Sequence, residues 1–345
     1  MTSRSNKFVC ALMVAVLTTI VLPCFAQQHY GVMFYNVENL FDTINDASVA
    51  DEDMLPKADR TWTVERFHQK LSNVARVIAD LSDEDEFPAV VALAEVENRK
   101  VLEDLVAQPQ ISSANYSICH FDSPDERGID VAMLYRADMF SVEGCRAIRA
   151  NVESAPNLQT RDFLLVWGEM GGEKILFCVV HFPSRIGGVK QTEHLRIGCA
   201  EQIREIVDSI AMADADRRIV IMGDMNDNPR DKSIRKVLGA KPVSQLAQAA
   251  ASGALYNLTS LSRGGSSVYD GRWNRFDNII VSANLLSSSD GLRVVMPKRG
   301  NSGSYVQRLE YLLDDKGHPK ATYRGSDYIG GVSDHLPIKF LLERQ

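Results

Sequence analysis

Eight short apolar runs constrain this chain more than any other feature, because each must become a strand and every strand must find a partner. They are Tyr30–Tyr35, Ala89–Ala94, Asp130–Tyr135, Phe163–Trp167, Ile175–Val180, Arg218–Met222, Asn278–Ser282 and Leu336–Leu341. Each is rich in β-branched residues and closed by polar, Gly or Pro signals, the pattern of a strand rather than a helix. Most show little polar alternation, so both faces are expected to be covered, with helices outside packed sheets. Two helical stripes are available to do this: Val64, Phe67, Leu71, Val74, Ile78 and Leu81, and then Leu195, Cys199, Ile203, Ile206 and Ile210, at helical spacing. From Ser287 to Gly331 the chain is rich in Gly, Ser, Arg, Lys and Asp, which reads as long loops that shape a site.

The first 26 residues are expected to be a cleaved secretory signal. Arg4 and Lys7 precede an apolar run from Phe8 to Leu22, and Cys24-Phe25-Ala26 offers small residues for cleavage before Gln27. The run is short for a permanent span, and no later stretch is long enough. Residues 27–345 show no internal repeat and are expected to form one domain, exported to the periplasm or beyond and monomeric. Losing the signal takes the net charge from −7 to −9. No basic stripe therefore announces nucleic acid, although a metal in the site can supply the positive charge that the surface lacks. The cysteines that remain, Cys119, Cys145, Cys178 and Cys199, show no zinc spacing. Cys178 sits inside an apolar run and reads as a buried thiol, and a Cys119–Cys145 disulfide is open in an oxidising compartment.

Residues of metal-binding and acid–base type stand at the ends of the apolar runs, not within them. Asn36 and Glu38 follow the first run, and Glu95, His181, and Asp224 with Asn226 follow later ones. Asp277 and His335 precede the last two. With neighbouring strands antiparallel, ends and beginnings share one rim, so these groups are expected to converge on one cleft.

The segments Tyr35-Asn-Val-Glu-Asn-Leu-Phe-Asp42, Ala94-Glu-Val-Glu97, Val180-His-Phe-Pro183, Met222-Gly-Asp-Met-Asn226, Arg275-Phe-Asp-Asn278 and Gly331-Val-Ser-Asp-His335 resemble, in order, the motif series of the endonuclease/exonuclease/phosphatase superfamily. The resemblance implies a DNase I-like α/β fold: a four-layered α/β/β/α sandwich of two packed, mainly antiparallel sheets flanked by helices. It implies Glu95 as the principal ligand of Mg²⁺ or Mn²⁺, assisted by Asn36, Glu38 and Asp334. A hard cation that keeps several waters suits so few carboxylates. It implies His335 as the catalytic histidine held by Asp277, His181 as a second histidine with Asp130 as its support, and Arg161 as a phosphate-facing cation. Asp224 and Asn226 lie two apart after a strand, so one can align or deprotonate water while the other donates to a phosphate oxygen. Whether Asp224 or His335 activates the water stays open.

These features point to a divalent-metal-dependent phosphoester hydrolase, with a phosphodiesterase or nuclease as the first reading. A lipid or small-molecule phosphoesterase, sphingomyelinase-like or acting on a sugar or inositol phosphate, is the alternative. A non-catalytic binding module is disfavoured because Glu95, Asp224, Asn226, Asp277 and His335 are all present.

Overall fold

The computed structural model describes residues 28–83, 86–246, 252–262, 264–287, 291–296 and 305–344. The expected secretory signal, residues 1–26, lies outside the described residues. In chain order come β1 (Gln28–Leu40), α1 (Val64–Asp80), β2 (Val90–Val96), α2 (Arg99–Val106), β3 (Tyr116–His120) and β4 (Asp130–Arg136). Next are β5 (Phe140–Ile148), β6 (Phe163–Met170), β7 (Glu173–His181), α3 (Val189–Ala213) and β8 (Arg218–Asp224). The short β9 (Lys241–Pro242) and β10 (Leu255–Asn257) precede a ribbon of β11 (Ser267–Tyr269) and β12 (Arg272–Asn274). The remainder is β13 (Asp277–Ser282), the single turn α4 (Asn284–Ser287), β14 (Leu292–Val294), a ribbon of β15 (Tyr323–Arg324) and β16 (Asp327–Tyr328), and β17 (Ile338–Arg344).

All eight expected strands and both helices form, the strands with ends shifted by a few residues. The sequence pattern passed over β3 and β5, where polar and partly exposed residues interrupt the apolar run. Each closes one end of a sheet, and an end strand is exposed along one side, which removes the apolar signal. The helix α2 was also missed, being only two turns long.

One sheet runs β14-β17-β1-β2-β4-β3 and the other β5-β6-β7-β8-β13-β10-β9. The pairings are antiparallel except β1 with β2, β7 with β8 and the short β9 with β10. Strand alternation separates the faces of the second sheet. Leu164, Val166, Phe177, Val179, Val220, Met222, Ile279 and Val281 join the core shared with the first sheet. Their neighbours Phe163, Leu165, Cys178, Val180, Ile219 and Ile221 face outward and pack with Cys199, Ala200, Ile203 and Val207 of α3. On the far side of the first sheet, α1 buries Phe67, Leu71, Val74 and Ile78, and α2 buries Val101, Leu102 and Leu105. The result is the α/β/β/α sandwich that the resemblance implied. Caps fix where these helices start: Thr63 accepts from the Arg66 amide at 3.4 Å and Asn98 from the Val101 amide at 2.9 Å. Cys119 on β3 and Cys145 on β5 are free thiols.

The centre of the second sheet tolerates no side chain at Gly223. A Cβ there would stand 1.9 Å from the Val180 carbonyl oxygen on β7, one residue before Asp224. Gly223→Ala is expected to destabilise the fold by about 2–3 kcal/mol, the usual cost of overpacking, read as a lower urea midpoint with an unchanged slope.

Candidate active site

Backbone irregularity, more than side-chain choice, aims the functional groups. The β2–β4 register shifts between Ala94 and Val96, and β1–β2 shifts between Asn36 and Leu40. These bulges put Glu95 at φ 64°, Glu38 at 51° and Asn39 at 51°, and Asn226 beyond β8 stands at 49°. Non-glycine residues with positive φ are uncommon and cluster where surrounding structure enforces them, often at functional sites. The bulge at Glu95 places its carboxylate beside Asn36, whose Nδ2 donates to Glu95 Oε1 and to Asp224 Oδ2, each at 3.1 Å. The Asn39 amide donates to the other Glu95 oxygen at 3.0 Å.

Asp224 lies at the meeting of the two sheets. Besides Asn36, it faces His181 Nε2 at 3.7 Å and His335 Nε2 at 3.6 Å, and its Oδ1 accepts the Asn226 amide at 2.9 Å. Asp277 is opposite Asp224 in the β8–β13 register and accepts from His335 Nδ1 at 2.8 Å. His181 Nε2 is also 3.9 Å from Glu95 Oε1, so one imidazole spans both carboxylates. Asn226 Nδ2 donates to the Phe182 carbonyl at 3.0 Å.

Electrostatics separate the two histidines. Burial lowers His181 well below the ordinary range, reinforced by the charges of Arg161, Arg127 and His335, so its ring is neutral. Burial also opposes charging His335, but Asp277 and Asp224 outweigh it and hold that ring well above its usual value. Burial, with Asp277 adding, pushes Asp224 up to about 6, against the pull of His335. Glu38 rises to about 7 through burial and the charge of Asp334. Carboxylates that resist ionising together in one cleft are favourable surroundings for a cation.

The expected residues are distributed as follows. Asn36, Glu95, His181, Asp224, Asn226, Asp277 and His335 share the centre just described. Glu38 and Asp334 lie at its margin, where Glu38 Oε2 accepts the Asp334 amide at 3.1 Å and the Thr322 amide at 2.7 Å. Arg161 is buried, with Nη1 on Asp125 at 2.9 Å and Nη2 donating to the Phe182 carbonyl at 2.7 Å. Asp130, expected to support His181, turns instead to His120 Nε2 at 3.0 Å and the Ser123 amide at 2.8 Å. The reason is local, because β3 pairs with β4 and brings His120 opposite Ala132, closer to Asp130 than the more distant β7. No described partner reaches His181 Nδ1. His120, Asp122 and Asp130, like Asp224, Asp277 and His335, offer atoms within 4.8 Å of one another.

Sequence reasoning missed three supports. Ser333 Oγ donates to the Asn36 carbonyl at 2.7 Å and accepts the His335 amide at 3.0 Å. Lys70 reaches from α1 to the Glu38 carbonyl and Thr322 Oγ1. A lysine on the buried face between Phe67 and Val74 is itself a readable anomaly, since buried lysines need partners. Asp125, the partner of Arg161, left no sequence signal.

Two packed sheets carrying acid, amide and imidazole groups at one rim define the DNase I-like class of metal-dependent phosphoesterases. The chain belongs to the endonuclease/exonuclease/phosphatase family, whose model matches residues 31–344, and is thus a metal-dependent hydrolase of phosphate esters. Among solved structures it is similar to an endonuclease/exonuclease/phosphatase family protein from Bacteroides thetaiotaomicron, at 16% identity over 93% of this chain and 96% of that one, with TM-score 0.55. A mannosyl-6-phosphatase from Bacteroides thetaiotaomicron shares the fold at 17% identity, 91% and 99% coverage and TM-score 0.53. So does D. rerio TDP2 complexed with single strand DNA product, at 18% identity, 91% and 98% coverage and TM-score 0.50. No curated protein matches the sequence.

Beside the centre, Glu97 accepts the Asp42 amide at 2.6 Å and is pushed up to about 8, by burial first and then by Asp42, Asp51 and Asp46. A carboxyl raised above its unfolded value stabilises the fold fully below about 4.5, the unfolded pKa, and loses that contribution as pH rises toward 8. Glu97→Gln should therefore gain stability relative to the parent between pH 4.5 and 8.5. Urea midpoints of both proteins in EDTA at the two pH values check this, and parallel midpoints would contradict it.

Proposed function

We propose that residues 27–345 form one exported, monomeric catalytic domain that hydrolyses phosphodiesters, nucleic acid among them, with Mg²⁺ or Mn²⁺ as the resident ion. The observation that carries this reading is the position of Asp224, which faces Asn36, His181 and His335 at once. The oxygen-rich set of Glu95, Asn36, Glu38 and Asp334 fits a hard cation, and its crowded carboxyls favour one. When bound, the ion supplies positive charge against the developing phosphorane and leaving oxygen.

The chain's own residues divide the remaining work. Asp277 fixes the His335 ring through Nδ1, so Nε2 is presented to the cleft as a donor to a phosphoryl oxygen. His181, on the other side of Asp224, is the neutral second donor. Asp224 aligns the attacking water and accepts its proton, held in place by the Asn226 amide and Asn36. Asn226 is the further amide donor at the phosphate.

Phosphodiester rather than monoester is supported by where the cations are committed. Lys70 is tied to Glu38 and Thr322, and two nitrogens of Arg161 are tied to Asp125 and Phe182. With those two engaged internally, the His335 imidazolium is the charged side chain that faces the phosphate, which suits the single negative charge of a diester better than a monoester dianion.

The test offers purified protein bis-p-nitrophenyl phosphate, p-nitrophenyl phosphate, plasmid DNA and sphingomyelin with Mg²⁺, Mn²⁺ or EDTA. Diesters should be cleaved only with metal. Glu95→Gln and His335→Ala should each lower turnover by ~10²-fold or more, the usual worth of oriented charge and proton-transfer groups. Turnover that survives chelation, or wild-type rates in both variants, would sink the assignment.

A further inference from the structure

Past the ends of β8 and β13 the chain encloses a cleft of about 810 Å³, within the usual range of ligand sites. Arg230, Arg235 and Arg275 line it with Trp273, Asn228 and Gln245, and no Asp or Glu takes part. Three arginines without a carboxylate are notable in a chain of net charge −7. Among the described residues no ion pair joins any of the three to an acid. Arg235 donates to Gln245 Oε1 and Arg275 to the Gly264 carbonyl, each at 2.8 Å. Elsewhere the buried arginines are neutralised: Arg161 by Asp125, Arg185 by Asp227 and Asp231, Arg196 by Asp227. Burial, and then the charge of Arg230, lower Arg275 from its ordinary value, so two cations stand near each other uncompensated. Arg308 lies 4.3 Å over the Trp273 ring and extends the positive wall.

The cleft adjoins the proposed centre. Asn228 is two residues beyond Asn226 and Arg275 two residues before Asp277, and the Arg275 amide donates to Asn228 Oδ1 at 2.8 Å, tying the two loops together. Two residues span at most about 7 Å of chain, so the cleft lies within reach of a phosphate neighbouring the one being cleaved. Guanidinium forks match phosphate oxygens in geometry and charge.

We propose that this cleft binds a second phosphate of the substrate, flanking the ester that is hydrolysed; the inference rests on the phosphodiesterase reading above. The same chemistry is offered by an oligonucleotide strand or by a small bisphosphorylated molecule. Two chromogenic esters separate the cleft from the centre: thymidine 5′-(p-nitrophenyl phosphate), and the same compound carrying a 3′-phosphate. The parent protein should prefer the 3′-phosphorylated ester in kcat/KM. In Arg230→Gln combined with Arg235→Gln that preference should fall about tenfold or more, the scale of lost charge-assisted contacts. An equal preference in parent and variant overturns the proposal.

A second measurement needs no turnover. Pyrophosphate titrated calorimetrically into the Glu95→Gln protein in EDTA should bind, and the added arginine substitutions should abolish the heat, with matched urea midpoints showing that the fold is retained. Binding that persists in the substituted protein, or no binding at the start, also overturns the cleft assignment. Competition by a short single-stranded oligonucleotide or by a sugar bisphosphate then identifies the source of the phosphate. Should neither ester be cleaved by the parent protein, the phosphodiesterase reading fails, while the pyrophosphate titration still decides the cleft.

Discussion

Asp224 is engaged by groups that come from four different strands or their margins, and the geometry of the whole cleft depends on that engagement. Its Oδ2 takes the Asn36 amide from β1 and faces His181 at the end of β7 and His335 before β17, while Asp277 stands opposite it on β13. Asn36 belongs to one sheet and Asp224 to the other. Sheets that slid against each other by even one residue would separate the amide from the carboxylate and expose a buried, unmatched charge, which costs far more than a lost surface contact. The apolar core between the sheets and the polar contact at their rim therefore specify the same alignment.

Much of this was legible in the amino acids. The eight apolar runs gave the central strands, and the position of Asn36, Glu95, His181, Asp224, Asp277 and His335 at run ends gave the shared rim. What could not be read was the path of the backbone through the bulges. Glu95 follows the continuous apolar run Ala89–Ala94, which says nothing of a φ of 64°, yet that one dihedral decides which way its carboxylate faces. Tertiary partners were equally hidden. The resemblance assigns Asp130 to His181, whereas β3, too polar to register as a strand, delivers His120 to it. Lys70 is masked in the sequence by the apolar stripe on which it sits.

Charge distribution shows the same division between what is summed and what is placed. A net charge of −7 suggests a surface that repels polyanions, but totals do not report where cations are left without counter-charges. Here most interior arginines are matched to aspartates, and the uncompensated ones gather past β8 and β13. An acidic exterior and a locally positive cleft coexist without contradiction because screening confines each to its own neighbourhood.

The first strand of the fold lies between β2 and the last strand, pairing with β17 from Gln28↔Arg344 to Phe34↔Ile338, and Ser333 fastens the approach to β17 onto the Asn36 carbonyl. A chain emerging from its N-terminus thus presents Asn36 and Glu95 early, while His335 and β17 join them only after residues 334–344 have followed. A chain cut short before residue 334 would leave β1 with an open edge and the cleft without the His335 imidazole, a product prone to associate through that edge. In this architecture one short segment, residues 333–344, both covers a sheet edge and brings a histidine to the cleft.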